Sequence, residues 1–226
     1  MKKYAIIVAG GKGNRFISEV PKQFLELDGK PVLMHSISAF NNYSKDLKII
    51  VVLPPDQIDY WNTLCKESRF FVNHQIVEGG KERFFSVQNG LNVIDTDGLV
   101  AIHDGVRPLV SYTTIENCFK TAEMEGNAIP VIDLVDSVRE IQSNGTSLHV
   151  DRNKYKLIQT PQVFRVSLIK DAYKKNFSPG FTDDASVLEA MIPGCIKLVK
   201  GNRMNIKITT PEDLKYAEAI LKSGKD

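Results

Sequence analysis

The sequence is short of cysteine: Cys65, Cys118 and Cys195 lie far apart among 226 residues, with no C-x-x-C pair. An odd, sparse set excludes a disulfide framework and a thiolate zinc site, and it reads as reduced and intracellular. Four histidines, His35, His74, His103 and His149, share no ligand spacing with one another or with the cysteines, so no protein-held metal centre is expected. No apolar run reaches the 18 residues of a membrane span, and only six residues separate Met1-Lys2-Lys3 from the first glycines, too few for a secretory apolar region. The chain also lacks an excess of one charge. Against 27 Asp and Glu stand 29 Lys and Arg, a formal net charge of +2, which argues against a dedicated nucleic-acid binder. It does not argue against a small anion, because a local cluster of cations fits inside a neutral total. There is one tryptophan, Trp61, placed among Tyr60 and Leu64 on a helical stretch and read as packing. What remains is an ordinary balance, 42% hydrophobic and 25% charged, in a chain long enough to bury a core without staples. These features predict a cytoplasmic globular protein, an enzyme or a nucleotide binder.

Short apolar runs alternate with amphipathic stretches. Tyr4–Ala9, Leu47–Leu53, Val72–Val77, Leu99–His103 and Asn127–Ile132 have strand character. Val32–Phe40, Gln57–Lys66, Arg83–Ile94 and Thr113–Glu125 have helical length and spacing. Continuous apolar strands separated by helices predict a doubly wound, mostly parallel α/β sheet. From Asp133 to Leu157 the pattern alternates around Ser143-Asn144-Gly145, a hairpin signal, and predicts a projecting arm that is either a surface excursion or a dimerisation device. Beyond it come helical stretches at Val166–Asn176 and Asp184–Met191, a strand at Ile196–Val199 and a closing helix at Pro211–Lys222, with Thr210 as N-cap and Pro211 at N1. With no repeat and no linker, residues 1–226 are expected to form one domain.

The loop after the first strand reads Val8-Ala9-Gly10-Gly11-Lys12-Gly13-Asn14-Arg15. Glycines here let backbone N–H groups approach a phosphate. No G-K-[ST] follows, so it is not a Walker A loop, and Phe16 stands where a dinucleotide fingerprint has its third glycine. Lys12, Arg15 and Lys22 lie close by, a set suited to neutralising a triphosphate.

These residues, Ala9 to Arg15 followed by Pro21-Lys22-Gln23, resemble the signature of sugar-phosphate nucleotidyltransferases in its cytidylyltransferase form. Further blocks agree in order: Gly79-Gly80-Lys81-Glu82-Arg83 with Ser86, His103-Asp104-Gly105-Val106-Arg107-Pro108, Val150-Asp151-Arg152, Thr160-Pro161-Gln162, Thr182 to Ser186, and Asn205 to Leu214. Together they resemble the 2-C-methyl-D-erythritol 4-phosphate cytidylyltransferase family. Ribitol-5-phosphate cytidylyltransferases share most blocks and are the nearest alternative; Val150-Asp151-Arg152 and the Thr182–Ser186 block favour the methylerythritol branch. A dehydrogenase is disfavoured by the missing glycine. A catalytically silent nucleotide binder would have lost Arg15, Lys22 or Lys207, and all three are present.

The resemblance implies CMP transfer from CTP to a sugar-alcohol phosphate, with magnesium bridging the CTP phosphates. It implies Arg15, Lys22 and Lys207 as the catalytic cations. CTP would be held by Ala9, Gly10, Gly11, Gly13, Arg15 and Lys22, with Gly79, Gly80, Ser86 and Asp104. The sugar phosphate would be held by Asp104, Arg107, Ser137, Arg152, Thr160 and Lys207. Arg152, on the arm, would reach the neighbouring subunit's site, making the working unit a homodimer. Lys81 stands where some members carry an acidic residue, Ser137 where many carry Thr, and Arg83 is expected to brace its loop rather than touch ligand.

Overall fold

A computed structural model describes residues 1–10 and 20–224. The chain runs β1 (Lys3–Val8), β2 (Glu26–Leu27), β3 (Lys30–Pro31), α1 (Val32–Tyr43), β4 (Lys48–Leu53), α2 (Ile58–Glu67), β5 (Gln75–Glu78), α3 (Arg83–Asn92), β6 (Leu99–Asp104), α4 (Tyr112–Glu125) and β7 (Asn127–Asp133). It continues through β8 (Val138–Ile141), β9 (Ser147–Val150), β10 (Lys156–Ile158), β11 (Gln162–Arg165), α5 (Val166–Ala172), α6 (Asp184–Glu189), β12 (Leu198–Lys200) and α7 (Pro211–Lys222).

The central sheet is ordered β5-β4-β1-β6-β11-β7. β10 continues along the β11 side of β7, and β12 pairs with the other side. From β5 to β6 every pair is parallel, as the continuous apolar runs predict. β11 is antiparallel to both β6 and β7, a reversal that the residue pattern does not announce because β10 and β11 are only three and four residues long. The strand expected at Ile196–Val199 forms at Leu198–Lys200, and the helix expected to reach Asn176 ends at Ala172.

Side chains alternate across each strand, and here both faces are buried. Ala5 and Ile7 of β1 join Leu33, Ile37, Phe40, Trp61 and Phe119 on the face covered by α1, α2 and α4. Tyr4 and Ile6 join Phe84, Leu91, Ile169 and Leu188 on the face covered by α3, α5 and α6. A smaller cluster of Leu27, Val32, Val106, Ile208 and Ala217 seats α7 over the ends of the strands. Pro211 at N1 and a reciprocal capping box between Thr210 and Asp213 start α7 as expected. The hairpin β8–β9 pairs only with itself and turns at Gly145, whose φ of 82° suits a residue without Cβ. No helix among the described residues is long and apolar enough to cross a membrane.

Candidate active site

β1 is flanked by β4 on one side and β6 on the other, so connections diverge at the carboxyl ends of β1 and β6, where open α/β sheets leave a crevice. Asp104, the last residue of β6, occupies that crevice between two cavities. The first, about 110 Å³, is lined by Ala9, Gly10, Lys22, Ser86, Arg83 and Lys207 among others. The second, about 240 Å³, includes Arg107, Thr160, Gln162 and Asp183. Arg83, Asp104 and Lys207 line both.

Three cations converge on Asp104. Lys207 Nζ lies 3.0 Å and Arg107 Nε 3.2 Å from Oδ2, and Arg83 Nε lies 3.7 Å from Oδ1. Burial alone would raise the Asp104 pKa, but Lys207, Arg83 and Arg107 outweigh it and hold the carboxyl well below the usual range. Asp104 is therefore a permanent anion in a cationic cleft.

The loop after β6 is clamped at almost every backbone polar atom. The Asp104 N–H donates to Thr160 Oγ1 and the Gly105 N–H to the Val8 carbonyl. The Gly105 carbonyl accepts from Ser36 Oγ, the Val106 carbonyl from the Ile208 N–H, and the Arg107 carbonyl from His103 Nε2. A Cβ on Gly105 would stand 2.9 Å from Leu33 Cδ1 and 3.0 Å from Ala9 Cβ, so only glycine lets this loop pack on β1. The segment carrying Lys207 is tied in by Arg107 Nη1 donating to the Asn205 carbonyl, Asn205 Nδ2 to the Thr160 carbonyl and Gln159 Nε2 to the Asn202 carbonyl. Positions distant in sequence thus set the place of one ammonium group.

The glycine pair after β5 is held in a specific way. The Ala9 N–H donates to the Val52 carbonyl, Gly79 N–H to the Leu53 carbonyl and Gly80 N–H to Ser86 Oγ. All three amides are committed within the protein and are not free to donate to a ligand. A Cβ on Gly80 would collide with Phe85. At Gly10 a Cβ would meet, among the described residues, Ser86 Oγ at 3.6 Å and Pro54 Cδ at 4.0 Å, ordinary contacts, and the position borders the first cavity.

Of the residues singled out in the sequence, Ala9, Gly10, Lys22, Ser86, Asp104, Arg107, Thr160 and Lys207 are gathered at the crevice. Gly79 and Gly80 stand behind Ser86. Gly11, Lys12, Gly13 and Arg15 lie outside the described residues. Ser137 and Arg152 line neither cavity; Arg152 is exposed at the base of the arm and donates to the Val135 carbonyl. Arg83 departs from its expected role in one respect. It braces, but by a bidentate pair with the fully buried Asp184, 2.9 and 2.7 Å away, and its guanidinium also walls both cavities. Burial would lower its pKa; Asp184 and Asp104 outweigh this and raise it. The sequence contained both partners in separate blocks but no signal that they meet. Trp61 is packing, as expected: it stacks on Phe24, two residues beyond Lys22, at 6.0 Å.

Among the described residues no group of three His, Cys, Asp or Glu could hold a metal, and the Asp104 carboxylate is already compensated by three cations. A protein-built magnesium cage does not fit this donor set. A magnesium ion held by nucleotide phosphates does, because this ion keeps few protein ligands.

Comparison with known proteins agrees with this geometry. The model of the 2-C-methyl-D-erythritol 4-phosphate cytidylyltransferase family matches residues 4–223. A protein of that name from Bacteroides thetaiotaomicron is 53% identical over 222 residues, covering 98% of this chain and all of its own length. One from Bacteroides fragilis is 54% identical with the same coverage. Among solved structures, 4-diphosphocytidyl-2C-methyl-D-erythritol synthase from Anaerococcus prevotii superposes with a TM-score of 0.83 at 28% identity, covering 98% of this chain and 96% of its own.

Proposed function

Because the chain belongs to the 2-C-methyl-D-erythritol 4-phosphate cytidylyltransferase family, we propose that it transfers CMP from CTP to 2-C-methyl-D-erythritol 4-phosphate. The products are 4-diphosphocytidyl-2-C-methyl-D-erythritol and pyrophosphate, in the non-mevalonate isoprenoid pathway. The observation that carries this reading is the position of Asp104 and Lys207 on the shared wall of two adjoining cavities. One cavity takes the nucleotide and the other the sugar phosphate.

A phosphate oxygen of the acceptor attacks the α-phosphorus of CTP, the new P–O bond forms, and the bond to the β-phosphate oxygen breaks as pyrophosphate leaves. The attacking oxygen is already anionic near neutral pH, so no general base is required. The obstacle is the meeting of two anions, and catalysis rests on positioning and charge. Lys207 stands where it can turn from Asp104 to the bridging phosphates, while Arg83 and Arg107 continue to neutralise Asp104. Lys22 and Arg15 take the triphosphate, with magnesium arriving as part of the nucleotide. Asp104 accepts hydrogen bonds from acceptor hydroxyls.

The working unit is a homodimer in the cytoplasm, built through the arm. What supports this is the set of exposed apolar side chains around it: Ile141 and Leu148 on the hairpin β8–β9, which pairs only with itself, and Val135 and Leu157 at its base. Arg152 then serves the partner's sugar-phosphate cavity. The test is to incubate the protein with CTP, magnesium and each sugar phosphate and to measure pyrophosphate. Turnover with ribitol 5-phosphate and none with methylerythritol phosphate would overturn the substrate assignment; a monomer in sedimentation would overturn the arm's role.

A further inference from the structure

His103 is wholly buried at the end of β6, with its ring edge-on to Phe40 at 5.1 Å, and the chemistry above makes no use of it. Its two nitrogens are nonetheless both engaged. Nε2 lies 3.0 Å from the Arg107 carbonyl oxygen and Nδ1 lies 3.0 Å from Thr160 Oγ1. A carbonyl only accepts, so the proton is on Nε2. Thr160 Oγ1 already accepts from the Asp104 N–H at 3.1 Å, which leaves its own proton to be donated to Nδ1. The direction of every hydrogen in the chain from Asp104 through Thr160 and His103 to Arg107 follows.

We propose that His103 is a positioning residue: as the neutral Nε2–H imidazole it holds the Arg107 main chain and, through the Thr160 hydroxyl, the Asp104 amide, and so aims the two loop side chains at the sugar phosphate. Burial, which lowers the His103 pKa to about 4, keeps it in that form at neutral pH. A corollary concerns Thr160. With its proton committed to His103, it can offer a substrate at most a lone pair, so its contribution is to anchor Asp104 and not to donate to the ligand. The inference rests on the functional reading for its kinetic part only.

The test has two arms. Nitrogen-15 NMR of the unaltered chain at neutral pH should show His103 Nδ1 as unprotonated and Nε2 as protonated; the reverse pattern, or an imidazolium, overturns the proposal whatever the activity. His103→Gln keeps a donor near the Nε2 position, and His103→Asn keeps an acceptor near the Nδ1 position, so each preserves one half of the chain. His103→Phe preserves neither and should raise KM for the sugar phosphate about tenfold or more, the cost of leaving buried polar partners unmade, with KM for CTP much less affected. Gln or Asn should recover part of it. Phe40→Leu loosens the same pocket without touching the hydrogen bonds and should lower Tm while leaving KM in place. An unchanged KM in folded His103→Phe and His103→Gln, or an equal rise in Phe40→Leu, would refute a positioning role. If the unaltered chain makes no cytidylyl transfer, the functional reading fails and the tautomer measurement still judges His103.

Discussion

Removing the Asp184 carboxylate should expose how much of the site is held by one buried ion pair. Asp184 is fully buried, accepts two hydrogen bonds from Arg83 and takes a third from Tyr173 Oη at 2.6 Å. Burial and then the Asp184 charge raise the Tyr173 pKa, so this phenol stays protonated and its bond permanent. Asp184→Ala strands a guanidinium and a hydroxyl. Breaking one side of a buried pair costs about 3–5 kcal/mol. The Arg83 side chain is 29% exposed and keeps Asp104 nearby, so the lower end, about 3 kcal/mol, applies here. At roughly 2–4 °C per kcal/mol for a chain of this size, Tm should fall by about 6–12 °C. Replacing both partners, as in Arg83→Met with Asp184→Leu, removes the unpaired charge and should recover much of the loss. Thermal unfolding by circular dichroism of the unaltered chain, Arg83→Met, Asp184→Leu and the double variant closes the cycle, with Asp184→Ala measured beside them. A loss below about 1 kcal/mol in Asp184→Ala, or a double variant no better than the sum of the singles, would refute the argument that this pair organises the wall between the cavities.

Lys207→Ala should lower kcat by about a hundred- to a thousandfold with little change in KM for CTP, because its contact tightens as charge develops; a pure rise in KM with normal kcat would contradict that. Stability should fall on acidification between about pH 6.5 and 4. His103 binds its proton in the unfolded chain at 6.5 but only at about 4 when buried, so the unfolded state carries more protons in that window and stability rises with pH. The full difference is roughly 3 kcal/mol, and urea titrations of His103→Gln across this range should show a shallower slope. His35 and His74, also lowered by burial, act with the same sign. Gly10→Ala should leave Tm nearly unchanged and weaken CTP binding, whereas Gly80→Ala, whose Cβ would meet Phe85, should lower Tm; equal loss of stability in both would show that Gly10 serves the fold after all.

Much of the architecture is legible in the residues because it is a local matter. Val32–Tyr43 and Arg83–Asn92 declare themselves by period, Pro211–Lys222 also by its Thr210 cap and Pro211, and the parallel half of the sheet by continuous apolar runs such as Lys48–Leu53. The ordered blocks also point to Asp104, Arg107 and Lys207 as site residues by resemblance. The reversal at β11 and the two-residue ribbon β2–β3 carry too few residues to show a period. Nor could spacing reveal that Arg83 closes on Asp184, 101 residues away, or that the Ala9 and Gly79 amides are used up by Val52 and Leu53.

The class of fold, the family and the chemical character of the site follow from side-chain types in order along the chain. Which cation meets which anion, which backbone amides are taken up inside the protein and which groups face the two nitrogens of His103 are settled by packing alone. Those outcomes depend on distances between segments and on the exclusion of water around them, and neither quantity exists until β6, the loop after it and the Asn205–Lys207 segment are packed together.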